Sequence, residues 1–430
     1  MDYRQVVTSF LRADQQILLL RRSGKVGSHR GKWSAVSGYL ESTEQPLTRA
    51  VTEIREELGL STDQINLVRV GETLRAYDGE NDTVWVVHPF LFEAKSRSVK
   101  LDWENLEYRW IAPAQLVSYD TVPKLWETFD RVQYDLQSEP ACLANIMLKV
   151  RTLGEDRIHG ATFIGSEAVR ILFEAAQTSD GKDIYTFFSH LLIVALRLRR
   201  VQPAMANVWN LVGKLLQVAD KRRADGASPQ ELLNLLRRVS AEMLENEAKA
   251  SEDVSRNTVR VLPQQGVVLT HSYSNTVLRA MELGLKAGRD FRVYATESYP
   301  GIEGKQLAKE LIASGIPVTL IADSAVGSIF QEVDLVLVGA DSVLKDGSLI
   351  HKVGTRDIAT AAKNQGIPVH SSTEYMKFSV QDFLGDRPEI SSLFDLTPAE
   401  VVSSYVSEDG ELVPSNVMQQ IRGLQREIYP

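Results

Sequence analysis

Three carboxylates, Glu53, Glu56 and Glu57, crowd into five residues of the sequence. If the segment is helical they stand at i, i+3 and i+4, so their side chains converge and repel by roughly 0.2–0.5 kcal/mol per pair. A solvated acidic face would tolerate this. A bound Mg2+ (or Mn2+), a hard cation that prefers carboxylate oxygen, would offset it. A second group of chemistry-bearing residues lies far along the chain. Thr270-His271-Ser272, Thr296-Glu297-Ser298, Ala322-Asp323-Ser324 and Gly339-Ala340-Asp341 each follow a short apolar run. Small polar residues at several such ends suit a polar, phosphorylated ligand.

The elements that must position these groups can be read from periodicity. Leu47, Ala50, Val51, Ile54 and Leu58 recur at helical spacing and predict one buried stripe. Thr43 is the expected N-cap, Pro46 fits the first turn, and Gly59 is the expected stop. Residues 5–21 read as strand, polar turn, strand. LVRVGETLRAYD and TVWVVHPFLFEAK read as further strands, and LEYRWIAPAQL as a strand followed by a short helix. Trp33, Tyr77 and Trp85 are expected in a core. Arg21, Arg22 and Arg30 are candidate diphosphate contacts.

From 140 to 255 the pattern is helical, in five apolar-periodic stretches. After 256 it changes to short apolar runs, GVVLTHS, FRVYATES, PVTLIAD and DLVLVGADSV, separated by helices. IPVHSST is expected as the final strand. Alternating strand and helix implies a doubly wound parallel sheet, whose ligands bind beyond the carboxyl ends of the strands. The expected domains are therefore 1–135, 140–255 and 256–430, an α/β protein with a helical subdomain between two α/β parts.

At 430 residues two or three domains are expected. The formal charge of −8 argues against direct nucleic-acid binding by the whole surface. One cysteine, Cys142, excludes an intrachain disulfide. The start, MDYRQVVTSFLRADQQ, lacks a signal-peptide pattern, and the most apolar run, LLIVAL, is too short for a bilayer. A cytoplasmic protein without membrane partners is expected.

Gly38, five residues, Glu44, seven residues and then Thr52-Glu53-Ile54-Arg55-Glu56-Glu57-Leu58-Gly59-Leu60 resemble the Nudix box, G-x5-E-x7-R-E-U-x-E-E-x-G-U. The fixed arginine of the box is Thr52 here. The resemblance implies a Nudix α/β/α sandwich in which Glu53, Glu56 and Glu57 ligate metal on a diphosphate. Glu57 or Glu56 is then the candidate to take the proton of an attacking water. It makes Gly38 a tight turn before the helix and Glu44 the upstream acid. Arg49, one turn before Glu53, can replace the missing arginine by an i, i+4 contact.

Residues 140–430 resemble a second superfamily. It contains the alpha, beta and delta subunits of translation initiation factor 2B, methylthioribose-1-phosphate isomerase and ribose-1,5-bisphosphate isomerase. The resemblance rests on IHGATFIGSEAVRIL, THSYSNTVLRAM, VYATESYPGIEGKQLAKEL, IADSAVGSIF and VGADSVLKDGSLIHKVGT. It implies a helical part on a Rossmann-like part, with assembly as a homodimer or larger homo-oligomer. The isomerases use a cysteine after the first Rossmann strand and the aspartate of G-A-D. Asp341 supplies the aspartate, but the cysteine's segment reads Thr270-His271-Ser272-Tyr273-Ser274. The phosphate arginine of R-G-A is His159, ahead of Gly160-Ala161, and R-P-T is Gln202-Pro203-Ala204. N-K-[IV]-G-T keeps Lys352. Gly160, Ala161, Ser272, Ser274 and Lys352 are the substrate-binding residues implied, and Lys305 is a further phosphate candidate at a helix start.

The expectation is a Mg2+-dependent hydrolase of a nucleoside diphosphate derivative, such as a nucleotide sugar. It is fused to a module that binds a sugar phosphate or nucleoside monophosphate without ordinary isomerase catalysis. Two alternatives stand beside it: a non-catalytic regulatory protein like the factor-2B subunits, and a bifunctional enzyme with pentose-phosphate isomerase activity.

Overall fold

The computed structural model describes residues 2–14, 16–41, 44–71, 73–78, 83–111, 113–133, 140–157, 159–380 and 393–428. The chain divides into two compact units, residues 1–138 and 139–430.

The first unit is built on a mixed sheet. Its strands are β1 (Asp2–Ala13), β2 (Gln16–Arg22), β3 (Trp33–Ser34), β4 (Val36–Tyr39), β5 (Ile65–Val70), β6 (Leu74–Asp78), β7 (Thr83–Ala94) and β8 (Asn105–Ile111). β1 and β7 run parallel at the centre, and the remaining pairs are antiparallel. The continuous apolar run Ile17-Leu18-Leu19-Leu20 explains why both faces are covered, since a strand buried on two sides has no polar alternation. Leu18 and Leu20 pack with Ala50, Ile54 and Leu58 of helix α1 (Pro46–Leu58). Ile17 and Leu19 point the other way, to Leu125 and Phe129 of helix α2 (Leu125–Gln133). The result is the expected α/β/α sandwich.

α1 opens with Gln45 in the cap position, with no side-chain cap, and Pro46 in its first turn. The expected cap, Thr43, lies outside the described residues. Gly59 closes the helix with φ 65, its N–H donating to the Arg55 carbonyl at 3.0 Å, a left-handed stop that glycine adopts without strain. The buried stripe is narrower than its periodicity suggests. Leu47, in the first turn, is exposed.

The second unit begins with helices α3 (Ala144–Glu155), α4 (Ala161–Thr178), α5 (Ile184–Val201), α6 (Ala206–Ala224) and α7 (Pro229–Thr258). α7 starts in a capping box, Ser228 with Glu231. Then follow β9 (Gln265–Thr270), α8 (Asn275–Lys286), β10 (Asp290–Thr296), α9 (Gly304–Ala313), β11 (Val318–Ile321) and β12 (Leu335–Val338). β13 (Ser342–Val343), β14 (Leu349–Lys352), α10 (Thr355–Asn364) and β15 (Val369–Ser372) come next. IPVHSST, which contains β15, is not the last strand. It is followed by β16 (Phe394–Thr397), β17 (Ser404–Ser407), β18 (Gly410–Leu412) and helix α11 (Val417–Ile428).

The main sheet runs β11-β10-β9-β12-β15-β17-β18, parallel except for β18. Strand order reverses between β9 and β12, so the ligand crevice of a doubly wound sheet lies at their carboxyl ends. A small antiparallel sheet, β13-β14-β16, brings Lys352 in at the end of β14. Among the described residues no helix is long and apolar enough to cross a membrane.

Candidate functional site

In the first unit the three glutamates do not share one surface. Glu53 and Glu57 are buried at 7% and 6% exposure, while Glu56 faces solvent. Glu57 Oε1 accepts the Ser37 N–H at 3.0 Å, and Oε2 accepts from the Asn105 amide at 2.8 Å. Burial pushes the Glu57 carboxyl up to about 8, against the pull of those two donors. Glu53 is also raised by burial, with Arg49 opposing. Arg49 donates from Nε to Glu53 Oε1 at 2.7 Å and lies 3.6 Å from Glu56. The expected i, i+4 contact between Arg49 and Glu53 is therefore formed. Thr52 only returns its hydroxyl to the Thr48 carbonyl.

Gly38 is not a tight turn. It lies within β4, paired with Val7 of β1. Its role is to have no side chain: a Cβ there would stand 1.5 Å from Glu53 Oε1. The strand makes room for the carboxylate. Glu44 is half-buried and, with Glu53 and Glu56, contributes to raising the Arg49 guanidinium, although burial opposes this. Glu104, just before β8, is a further carboxylate whose charge raises both Glu53 and Glu57. Nothing in the box reveals Glu104 or Asn105, because both arrive from a strand some fifty residues on.

The donors are all carboxylate oxygens that disfavour one another's charge, the chemistry that a hard divalent cation would offset. Of the flanking arginines, Arg21 bonds Gly31 and Glu107, Arg22 bonds Ser28, and Arg30 bonds Val26. Trp33 is core, edge-on to Tyr119. Trp85 is only half-buried, 5.8 Å from the exposed ring of Tyr39. The Tyr77 side chain lies outside the described residues.

In the second unit the strand ends converge as expected, but they satisfy one another. His271 Nε2 donates to the Val353 carbonyl at 2.9 Å, which leaves Nδ1 to accept from the Thr296 hydroxyl at 2.6 Å. The Ser272 N–H reaches Ser298 Oγ at 2.7 Å, and Asp323 accepts the N–H groups of Ser298 and Tyr299 at 2.8 and 2.7 Å. Ser272 and Ser298 both hold left-handed backbone, φ 69 and 62, a conformation that persists in serine only when its surroundings impose it. Ser274 caps α8 through the Val277 N–H. Lys305 pairs with Glu297 at 3.1 Å.

Asp341 is buried at the end of β12, and burial pushes it up to about 6 against the nearby charges of Lys377 and Lys352. His271 and His351 are both lowered by burial, so they are neutral at physiological pH. Lys352 is buried too, and its ammonium is 2.6 Å from Glu303 Oε1. Lys377 is likewise paired with Glu374 at 2.6 Å. The two cations that an anionic ligand would need already have carboxylate partners. Glu303 and Lys377 escaped the sequence reading. The Glu303 signal was an acid between Gly301 and Gly304, and the Lys377 signal was an i, i+3 pair in Glu374-Tyr375-Met376-Lys377.

Two of the inferred substrate positions have structural duties. Gly160 caps α4. Ala161 is buried, its carbonyl accepting from the Asn207 amide. His159 hydrogen-bonds Asp156 at 2.7 Å and stacks on Phe163 at 4.0 Å. Gln202 donates to the carbonyls of Leu153, Gly154 and Asp156, closing the end of α3.

Two family profiles match the chain: the NUDIX domain over residues 2–133, and the Initiation factor 2 subunit family over residues 157–390. A translation initiation factor eIF-2B subunit 2-like protein of Pyrococcus horikoshii is 29% identical over 287 residues, which are 63% of this chain and 97% of that protein. Ribose 1,5-bisphosphate isomerase of Thermococcus kodakarensis is 27% identical over 289 residues, 62% of this chain and 90% of the isomerase. The solved structure of translation initiation factor eIF-2B from Pyrococcus horikoshii OT3 superposes with TM-score 0.55 at 26% identity, covering 64% of this chain and 99% of that one. A tetrameric eIF2B-beta2-delta2 complex from C. thermophilum shares the fold, with TM-score 0.58 at 21% identity over 66% of this chain and 95% of that one.

Proposed function

We propose, from the premise that the chain belongs to the Initiation factor 2 subunit family and carries a NUDIX domain ahead of that module, that its first unit hydrolyses the phosphoanhydride of a nucleoside diphosphate derivative. A nucleotide sugar is the leading class. The observation that carries this reading is the buried pair Glu53 and Glu57, with Glu53 packed against a strand glycine whose absent side chain admits it. Arg49 orients Glu53, and Ser37 with Asn105 orients Glu57. A bound Mg2+ or Mn2+ would supply charge neutralisation of the diphosphate and a lowered pKa for the attacking water. Glu56, at the exposed rim, is the accessible carboxylate to accept the proton of that water.

The second unit, in this reading, binds a sugar phosphate or nucleoside monophosphate, a fragment that the first reaction releases, and associates into dimers or larger assemblies. Isomerisation is disfavoured by the chemistry of the strand ends. Ser272 and Ser274 stand where the isomerases have a cysteine, and a serine hydroxyl is a much weaker acid. The Lys352–Glu303 pair favours a sensing or regulatory role over turnover, since a phosphate must first displace Glu303. Calorimetry with ribose phosphates and nucleoside monophosphates, alongside an NMR assay for aldose–ketose exchange, tests this half. Binding heat without exchange supports it, and rapid exchange would make the unit an isomerase.

A further inference from the structure

The chain's single cysteine lies away from the strand-end chemistry, in a polar cluster of its own. Cys142 sits in the short turn Ala141–Leu143 ahead of α3. Asp180 follows the end of α4, and His190 lies in the second turn of α5. Cys142 Sγ is 3.9 Å from His190 Nδ1, and Asp180 Oδ1 is 3.8 Å from the same nitrogen. All three ligand atoms lie within 4.8 Å of one another. His190 is buried at 6% exposure, and Ser179 Oγ stands 2.9 Å from its Nδ1.

The geometry separates two readings of a Cys-His-Asp group. In a nucleophilic relay the acid orients the imidazole through one ring nitrogen while the thiol faces the other. Here thiol and carboxylate approach the same nitrogen, so Asp180 cannot orient the ring for Cys142. Convergence of sulfur, oxygen and nitrogen on one point is instead what a shared cation requires. We propose that Cys142, Asp180 and His190 form a three-ligand site for Zn2+, with water in the fourth position.

The ligand types support zinc over magnesium. A mixed sulfur, nitrogen and oxygen set suits a borderline-soft ion, whereas the glutamates of the first unit offer only hard oxygen. Tetrahedral bonds of about 2.0–2.3 Å place ligand atoms closer together than they stand here, so the side chains must draw inward. Asp180 is exposed and has room to do so. Zinc takes a neutral imidazole and a thiolate, so binding must release the Cys142 proton to solvent. The ion would tie the turn that opens the second unit to the connection between α4 and α5.

The test is titration of the metal-free full chain with Co2+, followed by absorbance. One equivalent is expected to give a thiolate-to-cobalt band in the near ultraviolet that Zn2+ abolishes. The chain has one cysteine, so that band reports Cys142 alone, and cobalt on the glutamates cannot produce it. Cys142→Ser should remove the band. Asp180→Asn, at an exposed position, should weaken Co2+ by at least the roughly tenfold that losing a group hydrogen-bonded to a ligand costs, with an unchanged circular dichroism spectrum. No band in excess Co2+, a band that survives Cys142→Ser, or undiminished affinity in Asp180→Asn would each overturn the site.

Discussion

Arg49 donates from Nε to Glu53 Oε1 across one turn of α1, at 2.7 Å. The contact places a guanidinium on the first glutamate of the acidic cluster, although the position just before that glutamate holds Thr52. A charge-assisted hydrogen bond contributes about 1.5–3 kcal/mol. Arg49→Ala is therefore expected to lower metal-dependent hydrolysis by roughly 10- to 100-fold. Thr52→Arg should leave activity equal or better, and should restore part of it in the Arg49→Ala background. Steady-state kinetics on the four proteins checks this. Full activity in Arg49→Ala would mean that Glu53 needs no orienting partner.

Gly38→Ala puts a methyl group where the Glu53 carboxylate lies. The carboxylate must move, and overpacking of this kind costs about 1–3 kcal/mol. Loss of hydrolysis should accompany a modest fall in Tm, and Mn2+ binding followed by electron paramagnetic resonance should weaken. An alanine variant that binds Mn2+ as the parent does would remove Gly38 from the account of the site.

The strand-end site makes a prediction of opposite sign. Glu303→Gln releases Lys352 from its ion pair. Affinity for ribose 5-phosphate, read by calorimetry, is expected to rise by about tenfold, the worth of one charge-assisted contact. A fall in affinity would show that Glu303 holds the ligand rather than competing with it.

Much of this was legible in the sequence. The run Ile17–Leu20 announces a strand buried on both faces, and the spacing from Gly38 to Gly59 announces the acidic helix. Spacing reports that position 38 is glycine, but only the paired strands explain why. Glu104 and Asn105 join Glu57 through sheet pairing that no local pattern carries. The Lys352–Glu303 pair joins the last residue of β14 to the residue ahead of α9, which no local pattern links. β13, β14 and β16 are two to four residues long, too short for periodicity to identify. Leu47 repeats at the right interval yet is exposed, because periodicity does not say where a core ends.

Glu247 of α7 gives the second unit a pH-dependent stability. Burial, then the charges of Glu374 and Glu408, push its carboxyl up to about 8, with Lys377 and Lys214 opposing. Glu408 is likewise pushed up to about 7, chiefly by burial. An acid raised in the folded state favours folding while protonated, so its contribution is full below the ordinary carboxylate range and is lost as pH rises towards 8. The Tm of this unit should therefore fall as pH rises from about 6 to about 8. Glu247→Gln should flatten that slope and raise Tm at the alkaline end. An unchanged slope in the variant would assign the dependence elsewhere.

The most direct measurement is product analysis by phosphorus NMR with a panel of nucleotide sugars and dinucleotides, in Mg2+ and in EDTA. The expected result is cleavage of the diphosphate to two monophosphates, absent in EDTA. Glu56→Gln and Glu57→Gln should each retain less than about a hundredth of the rate, within the range that a positioned acid–base group contributes. Cleavage that continues in EDTA, or that survives both substitutions, would place the hydrolytic chemistry away from the α1 carboxylates and contradict the proposed function of the first unit.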